Sequence, residues 1–528
     1  MGIEQAIDIT SSQRKTVLAL IQQYLPGVAV WAYGSRVKWT SRPQSDLDLV
    51  AFASPEQKDR VGDLREAFEE SDLPFRVDLF VWDEVPESFR EQIEGERINL
   101  VDSSEKENDW DEYTIEQIAD IVGGGTPSTK DPDNFGGNIP WLTPKDLSEP
   151  HARYITCGER SLSQKGLENS SAKLLPSGSV LLSTRAPVGY VAIAKNPIST
   201  NQGFRSLVPH EGFPSEYLYY WLIQNTEKLK QYTTGTTFGE LSGSALGSIR
   251  IRLPSLIEQR AIADVLGTLD DKIELNCRMN ETLEEMARAL FKSWFVDFDP
   301  VRAKMENRDT GLPKHIANLF PDRLAESELG DVPEGWGIRN LADTFDLEMG
   351  QSPSGNTYNE HADGLPFFQG SSDFEFRFPQ KRKFCTAPKR TAQPGDTLVS
   401  VRAPVGDINM AWEKCCIGRG VAALRHRSGS VSFTYYSAWA IQKQFRQYEH
   451  TGTVFGSINK QQFEALRVLE PTAEVINAFD SQVNTLDKRI RNGTSETHLL
   501  SFLRDTLLPG LVSGKIQTKG IGRPGTTI

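Results

Sequence analysis

Disulfide scaffolding, zinc knuckles and membrane spans are all missing from this chain of 528 residues. Its five cysteines, Cys157, Cys277, Cys385, Cys415 and Cys416, form no CxxC pair and no Cys/His ligand spacing. An odd number without a framework points to a reducing compartment. Adjacent Cys415 and Cys416 could be a redox pair, but small buried hydrophobes are the simpler reading. No apolar run approaches the ~18 residues that a membrane crossing needs, and no cleavable leader is recognisable. A cytoplasmic protein without a membrane partner is therefore expected. Positive charge is scarce too. With 58 Lys and Arg against 71 Asp and Glu, the net charge of −13 argues against a general polycationic coat for nucleic acid. A reader with local basic surfaces stays possible. The deficit is uneven, because residues 1–103 hold 11 Lys and Arg against 19 Asp and Glu.

What the chain does have is a repeat. STRAPVGY from Ser183 returns as SVRAPVGD from Ser400, and GTTFG from Gly235 returns as GTVFG from Gly452. Pro254 maps onto Pro471 and TLDDKI from Thr268 onto TLDKRI from Thr485, all by an offset of 217 residues. A constant offset over four separated blocks means duplication of a whole unit. Two like units in tandem suit a partner that is itself two-sided, as a DNA duplex with two half-sites is.

Ahead of the repeat, residues 1–103 read as a small α/β unit, helix, strand, helix, strand, helix. Val17–Tyr24 is helical in pattern, and VAVWAYGS from Val28 is a buried strand entering a Gly-Ser turn. DLDLVAFA from Asp46 and FRVDLFVW from Phe75 alternate as half-buried strands do. Asp46 and Asp48, two apart, share one face, and Asp78 lies on a second strand. Crowded carboxylates repel unless a cation neutralises them, and magnesium or manganese would also hold a nucleotide's phosphates. The Gly34-Ser35 turn offers backbone N–H groups and a hydroxyl to a phosphate. The alternatives are a solvated acidic strand edge or a degenerate, inactive copy.

The pattern GSR, nine residues, DLDL, then a strand VDL resembles the minimal nucleotidyltransferases of the polymerase-beta type. That resemblance implies that Gly34, Ser35 and Arg36 bind the triphosphate, and that Asp46, Asp48 and Asp78 are catalytic and bind metal. Asp78 is then the base for the acceptor hydroxyl. It also implies Mg2+ and a nucleoside triphosphate, with ATP and transfer of AMP expected.

After a polar joint at Asp102–Asp109, each copy opens with an apolar stretch and a Gly/Pro/Ser-rich loop, from Gly123 and from Gly350. Gly123-Gly124-Gly125 is a turn rather than a phosphate loop, because no Lys-Ser/Thr closes it. Each copy ends in a helix with 3-4 apolar spacing. The first seam runs Leu266, Leu269, Ile273, Asn276, Asn280, Leu283, Ala287, Leu290, Trp294. The second runs Val483, Leu486, Ile490, Gly493, Thr497, Leu500, Arg504, Leu507, Leu511. So narrow a seam is of the coiled-coil kind, and two such helices pair most simply antiparallel. The polar centre (Asn276, Asn280, Gly493, Thr497) would fix register or leave room for a partner. Some 29 residues per seam give a rod of roughly 40 Å.

This order, with LPSLIEQRAIADVLGTLDDKI, a helix ending ALFKSWFVDFDP and a second unit opening ELGDVPEGW at Glu328, resembles the specificity subunit of type I restriction-modification systems. Pro471 departs from the pattern, since TAEVINAF follows it without the Glu258-Gln259 pair. The resemblance implies an α/β (α+β) architecture: a nucleotidyltransferase-like domain (1–103), a first target recognition domain (110–255) and spacer helix (256–300), a linker (301–335), a second recognition domain (336–470) and a second spacer helix (471–515). Each recognition domain would read one half of a bipartite double-stranded DNA site. The paired helices would dock two methyltransferase subunits, with restriction subunits a further candidate partner. S-adenosylmethionine and ATP would belong to those partners, the specificity part having no cofactor or chemistry of its own. The rival function is an antitoxin- or defence-type enzyme transferring AMP, targeted by the repeats.

Candidate DNA contacts are the basic cluster Lys381, Arg382, Lys383, Lys389 and Arg390, and the repeated pair Arg185 and Arg402. A position shared by two units that read different sequences suits phosphate contact or, preferably, fold support better than base readout.

Overall fold

The computed structural model describes residues 7–42, 44–53, 57–101, 110–148, 152–185, 187–233, 239–328, 330–448 and 456–516. The chain divides into two compact units, one made of residues 1–270 and 502–528, the other of residues 271–501. The division falls inside both long helices.

In the first unit the N-terminal domain runs α1 (Ser11–Tyr24), β1 (Val30–Tyr33), β2 (Leu47–Ala51), α2 (Lys58–Glu69), β3 (Val77–Val81), α3 (Glu87–Glu96) and β4 (Ile98–Val101). Thr10 and Gln13 close a capping box that starts α1, satisfying backbone donors that the first turn leaves open. The sheet order is β3-β2-β1-β4, with β2 parallel to β3 and antiparallel to β1. Leu47, Leu49, Ala51, Val77, Leu79 and Val81 bury one face with Val17, Ile21, Val61 and Leu64 of the helices. The odd member is β4, which the sequence reading does not contain. Its four residues are too short for alternation to be told from a helix end.

The duplication is real in three dimensions. In the first repeat, Ala119–Gly123, Arg205–Pro209, Val180–Thr184 and Val188–Ala194 lie side by side in one sheet. Phe345–Met349, Val421–His426, Thr397–Ser400 and Ile408–Met410 repeat that order in the second. In each copy the opening strand pairs antiparallel with the strand just before the long helix, Asp111–Thr114 with Arg250–Leu253 and Gly337–Asn340 with Arg467–Glu470. The offset is not constant throughout. Trp141 and Phe367 hold equivalent parallel pairings to Ser199 and Cys416, an offset of 226 on one strand and 217 on the other. The segment between them, residues 143–179 or 369–396, is nine residues shorter in the second copy. The repeated GTTFG and GTVFG words lie, but for Gly239 and Gly456, outside the described residues.

The long helices are Leu256–Phe295 and Ala473–Ser513, 40 and 41 residues, hence about 60 Å each and half as long again as the seam suggests. They pack together and run antiparallel. Asn276 donates to Glu496 (3.0 Å) and Asn280 to Thr494 (3.2 Å), while Phe291 meets Phe479 with ring centroids 5.5 Å apart. Every position of both expected seams is buried or half-buried. The polar centre is a knot: a Cβ on Gly493 would stand 2.5 Å from Asn280 Oδ1. The second unit's core gathers Phe291, Trp294, Phe295, Phe433, Phe479 and Val483. In the first unit, Leu508, Leu511 and Val512 join Ile262, Leu266, Tyr217 and Leu222.

A residue off the seam ties the second unit together. Glu284 and Arg377 are each 2 % exposed and pair at 2.5 Å. Arg377 also bonds Asp487 (2.7 Å) and the Tyr436 hydroxyl (2.9 Å). The first unit has a related knot, in which Arg153 donates to Tyr220 (3.0 Å), Tyr220 to Asp270 (2.6 Å) and Arg504 to Asp270 (2.8 Å). Asp270 and Asp487 are the same residue of the repeated TLD motif.

Removing one partner of a buried ion pair leaves the other uncompensated, at a cost of about 3–5 kcal/mol. Arg377→Met should lower unfolding free energy in urea by that much, and Arg377→Met with Glu284→Leu should recover much of it. A single variant as stable as the parent would show that the pair does not brace the unit.

Candidate functional site

Strand pairing builds the N-terminal site. On β2, Leu47, Leu49 and Ala51 must face the core, so Asp48 faces the other way. Register then sets Tyr33 beside Asp48 on β1 and Asp78 beside it on β3. Asp46, two residues earlier, shares that face at its exposed end. The carboxylates feel one another. Asp48 is pushed up to about 6, by burial first and then by the charges of Asp78 and Asp46. Burial, with Asp48 and Asp78, likewise pushes the Tyr33 hydroxyl up to about 12.

Gly34 follows Tyr33 with φ +81°, and a Cβ there would stand 2.2 Å from Asp48 Oδ2. Only glycine lets the turn approach that closely. The next residues coil, Lys38 N–H to the Gly34 carbonyl (3.1 Å) and Thr40 N–H to the Ser35 carbonyl (3.0 Å). Ser35 thus stands beside the carboxylate face at the start of the coil.

Arg36 differs from expectation. It is buried, donating to the Asp8 carbonyl (2.8 Å) and the Ser45 carbonyl (2.7 and 3.0 Å), with its guanidinium 4.0 Å from the Phe75 ring centroid. These contacts make it a brace for the loop between Gly34 and Asp46, since a guanidinium turned to carbonyls on two sides is not turned to a triphosphate. Asp78 Oδ1 meets Arg76 Nε at 3.0 Å. The donors are hard carboxylate oxygens, near enough for the charges of Asp78 and Asp46 to raise Asp48, and that chemistry suits a hard divalent cation. The set is not closed into a cage. Among the described residues no group of three or more His, Cys, Asp or Glu side chains comes together as a metal site. Tyr33 and the bracing role of Arg36 escaped the sequence reading. Tyr33 could have been found from its place on the Asp48 face, directly before the glycine.

In the repeats, Arg185 and Arg402 occupy equivalent places. Ser183 Oγ donates to the Pro187 carbonyl (2.9 Å) and accepts from the Tyr190 amide (2.8 Å). Ser400 does the same with Pro404 (2.6 Å) and Asp407 (2.8 Å). Arg185 bridges Glu240 through the backbone, and Arg402 bridges Ser457. Both side chains are exposed. The basic cluster is exposed as well but partly neutralised: Lys381 pairs with Glu413, Arg382 with Asp373 (3.8 Å) and Arg390 with Glu348 (2.8 Å). No helix among the described residues is long and apolar enough to cross a membrane.

Residues 107–285 match the family model described as type I restriction modification DNA specificity domain, and residues 15–106 match polymerase beta, nucleotidyltransferase. The type I restriction enzyme MjaIX specificity subunit of Methanocaldococcus jannaschii is 35 % identical over 431 residues, 78 % of this chain and 94 % of that one. The HindI specificity subunit of Haemophilus influenzae is 26 % identical over 78 % of this chain and its own whole length. The probable protein adenylyltransferase MntA of Haemophilus influenzae is 48 % identical over 89 residues, 16 % of this chain and 77 % of that one. A carboxylate-bearing sheet ahead of two like units on antiparallel helices is thus matched part by part: the chain belongs to the type I restriction-modification specificity subunits and carries a nucleotidyltransferase domain of the polymerase-beta type in front.

Proposed function

We infer that this subunit reads a bipartite double-stranded DNA site, each repeat taking one half, while the paired helices set an unread spacer. The observation that carries this is one fold repeated along two antiparallel helices of 40 and 41 residues in one register. The partners are methyltransferase subunits, two of them if each repeat takes one, with restriction subunits joining the same complex. In the second unit, Leu275 and Met286 on the first helix and Leu499 on the second are exposed and give such partners apolar surface. Methyl transfer, with S-adenosylmethionine, and ATP-driven steps are the partners' work.

The N-terminal domain transfers a nucleoside monophosphate, AMP from ATP, to an acceptor hydroxyl. Asp46 and Asp48 would hold Mg2+, which would neutralise charge on the phosphates. The Gly34-Ser35 turn receives the triphosphate through its N–H groups and hydroxyl. Asp78 accepts the proton of the acceptor oxygen as that oxygen bonds to the α-phosphorus and pyrophosphate departs. The rival arrangement makes this transfer the main activity and the repeats its address. Deleting residues 1–105 separates them, because methylation that persists with the partners supplied makes the front domain auxiliary.

Three outcomes are expected. Removing seven residues from each long helix at matched positions shortens the rods by roughly 10 Å, and the spacer of the methylated motif in the host genome should change; an unchanged spacer would count against the ruler. Radiolabelled ATP with magnesium should label an acceptor from cell extract, and Asp46→Ala should abolish the label; equal labelling by both proteins would refute the transferase. Third, a carboxyl whose pKa rises on folding binds its proton more tightly in the native state, so the stability it contributes is lost as pH rises toward the folded value of about 6. In chelator, the melting temperature of Asp48→Asn should therefore match the parent at about pH 4 and exceed it at about pH 7. Magnesium should narrow that gap by stabilising the parent alone.

A further inference from the structure

We propose that Arg185 and Arg402 are a matched pair of backbone anchors, each gripping one DNA phosphate at the same place relative to its own half-site and carrying no base information. The inference rests on the bipartite reading above and adds which contacts are blind to sequence.

Both arginines follow the strand that centres their sheet, and both are fixed by the same three devices. A serine two residues earlier clamps the turn that follows, as Ser183 and Ser400 do. The arginine backbone bridges across to Glu240 or Ser457. One residue earlier, the Thr184 carbonyl accepts from the Leu241 amide (3.0 Å) and the Val401 carbonyl from the Ile458 amide (3.0 Å). The backbone is held while the side chain is left out: both guanidiniums are exposed, and among the described residues neither has a carboxylate partner. In a chain of net charge −13 that is informative. Glu240, facing Arg185 across the bridge, turns its carboxylate to Arg205 instead (3.3 Å). In the other copy the facing residue is uncharged Ser457. These side chains therefore do not hold the fold together, and the expectation of fold support passes to the serines and the backbone.

Symmetry then selects the ligand. An identical residue on an identical support, were it reading a base edge, would demand the same base in both halves. Sequence choice has to live where the copies differ, as in the segment of residues 143–179 against 369–396. A contact present in both is suited to what every duplex shares, the phosphate, which a planar guanidinium fork meets with two hydrogen bonds. The lysine-rich cluster from Lys381 has no such twin and is half tied to carboxylates.

The test measures binding of the full chain, assembled with its methyltransferase subunits, to a duplex bearing the host's methylated split sequence and to an unrelated duplex, over a range of salt. Arg185→Gln and Arg402→Gln should each reduce the slope of log K against log salt by about one, and the double variant by about two, equally on both duplexes. The methylated sequence should stay the same, and Arg185→Lys and Arg402→Lys should keep the parent slope. Gln variants with an unchanged slope, a changed base preference in either half, or Gln variants that fail to fold would each overturn the proposal. A parent complex with no preference for the split sequence would instead remove the bipartite reading beneath it.

Discussion

A buried charge that must be answered from two directions organises the second unit. Arg377 lies in the second repeat, and its guanidinium is met by Glu284 of one long helix and Asp487 of the other, with Tyr436 alongside. Charges this deep are tolerable only when they are paired and hydrogen-bonded. The second repeat is therefore fixed to both helices at once, in one register. Apolar burial around Phe291, Phe433 and Phe479 supplies cohesion, but cohesion of that kind accepts sliding by a turn. The ionic knot does not.

The first unit solves the same problem with different members. Asp270 replaces Asp487, Tyr220 replaces Tyr436, and the opposing helix sends Arg504 rather than an acid. Arg153 and Arg377 are equivalent, since the carbonyl of each accepts the amide of an equivalent strand residue, Ile193 or Met410, at 2.9 Å. The two copies thus preserve a function of the interior rather than a list of residues. In the front domain the logic runs the other way: three acids share one face, and among the described residues no buried arginine pairs with them, which is the condition of a site rather than of a brace.

Much of this was legible beforehand, and for identifiable reasons. The seam was readable because Leu266, Ala287 and Trp294, or Val483, Ile490 and Leu511, repeat at a period only a paired helix uses. The carboxylate face was readable because Asp46, Asp48 and Asp78 alternate with buried aliphatics. Arg153 and Arg377 were not readable. They stand 224 residues apart, an offset that fits neither half of the repeat, because the segment holding them changes length between copies. Glu284 was missed because periodicity counts it with the polar face, whereas a partner from outside the helix pulls it in. Resemblance assigns Arg36 a ligand, whereas its guanidinium is spent on the Asp8 and Ser45 carbonyls, which no motif announces.

The last turns of the second long helix belong to the core of the first unit, where Leu508, Leu511 and Val512 lie against Ile262 and Leu266. A ribosome delivers those residues only after the entire second unit has emerged. The first unit's apolar helix face must wait, uncovered, while its sequel is translated, and the order of completion is the reverse of the order of synthesis. A product terminated before Leu508 therefore exposes its flaw in the part made first.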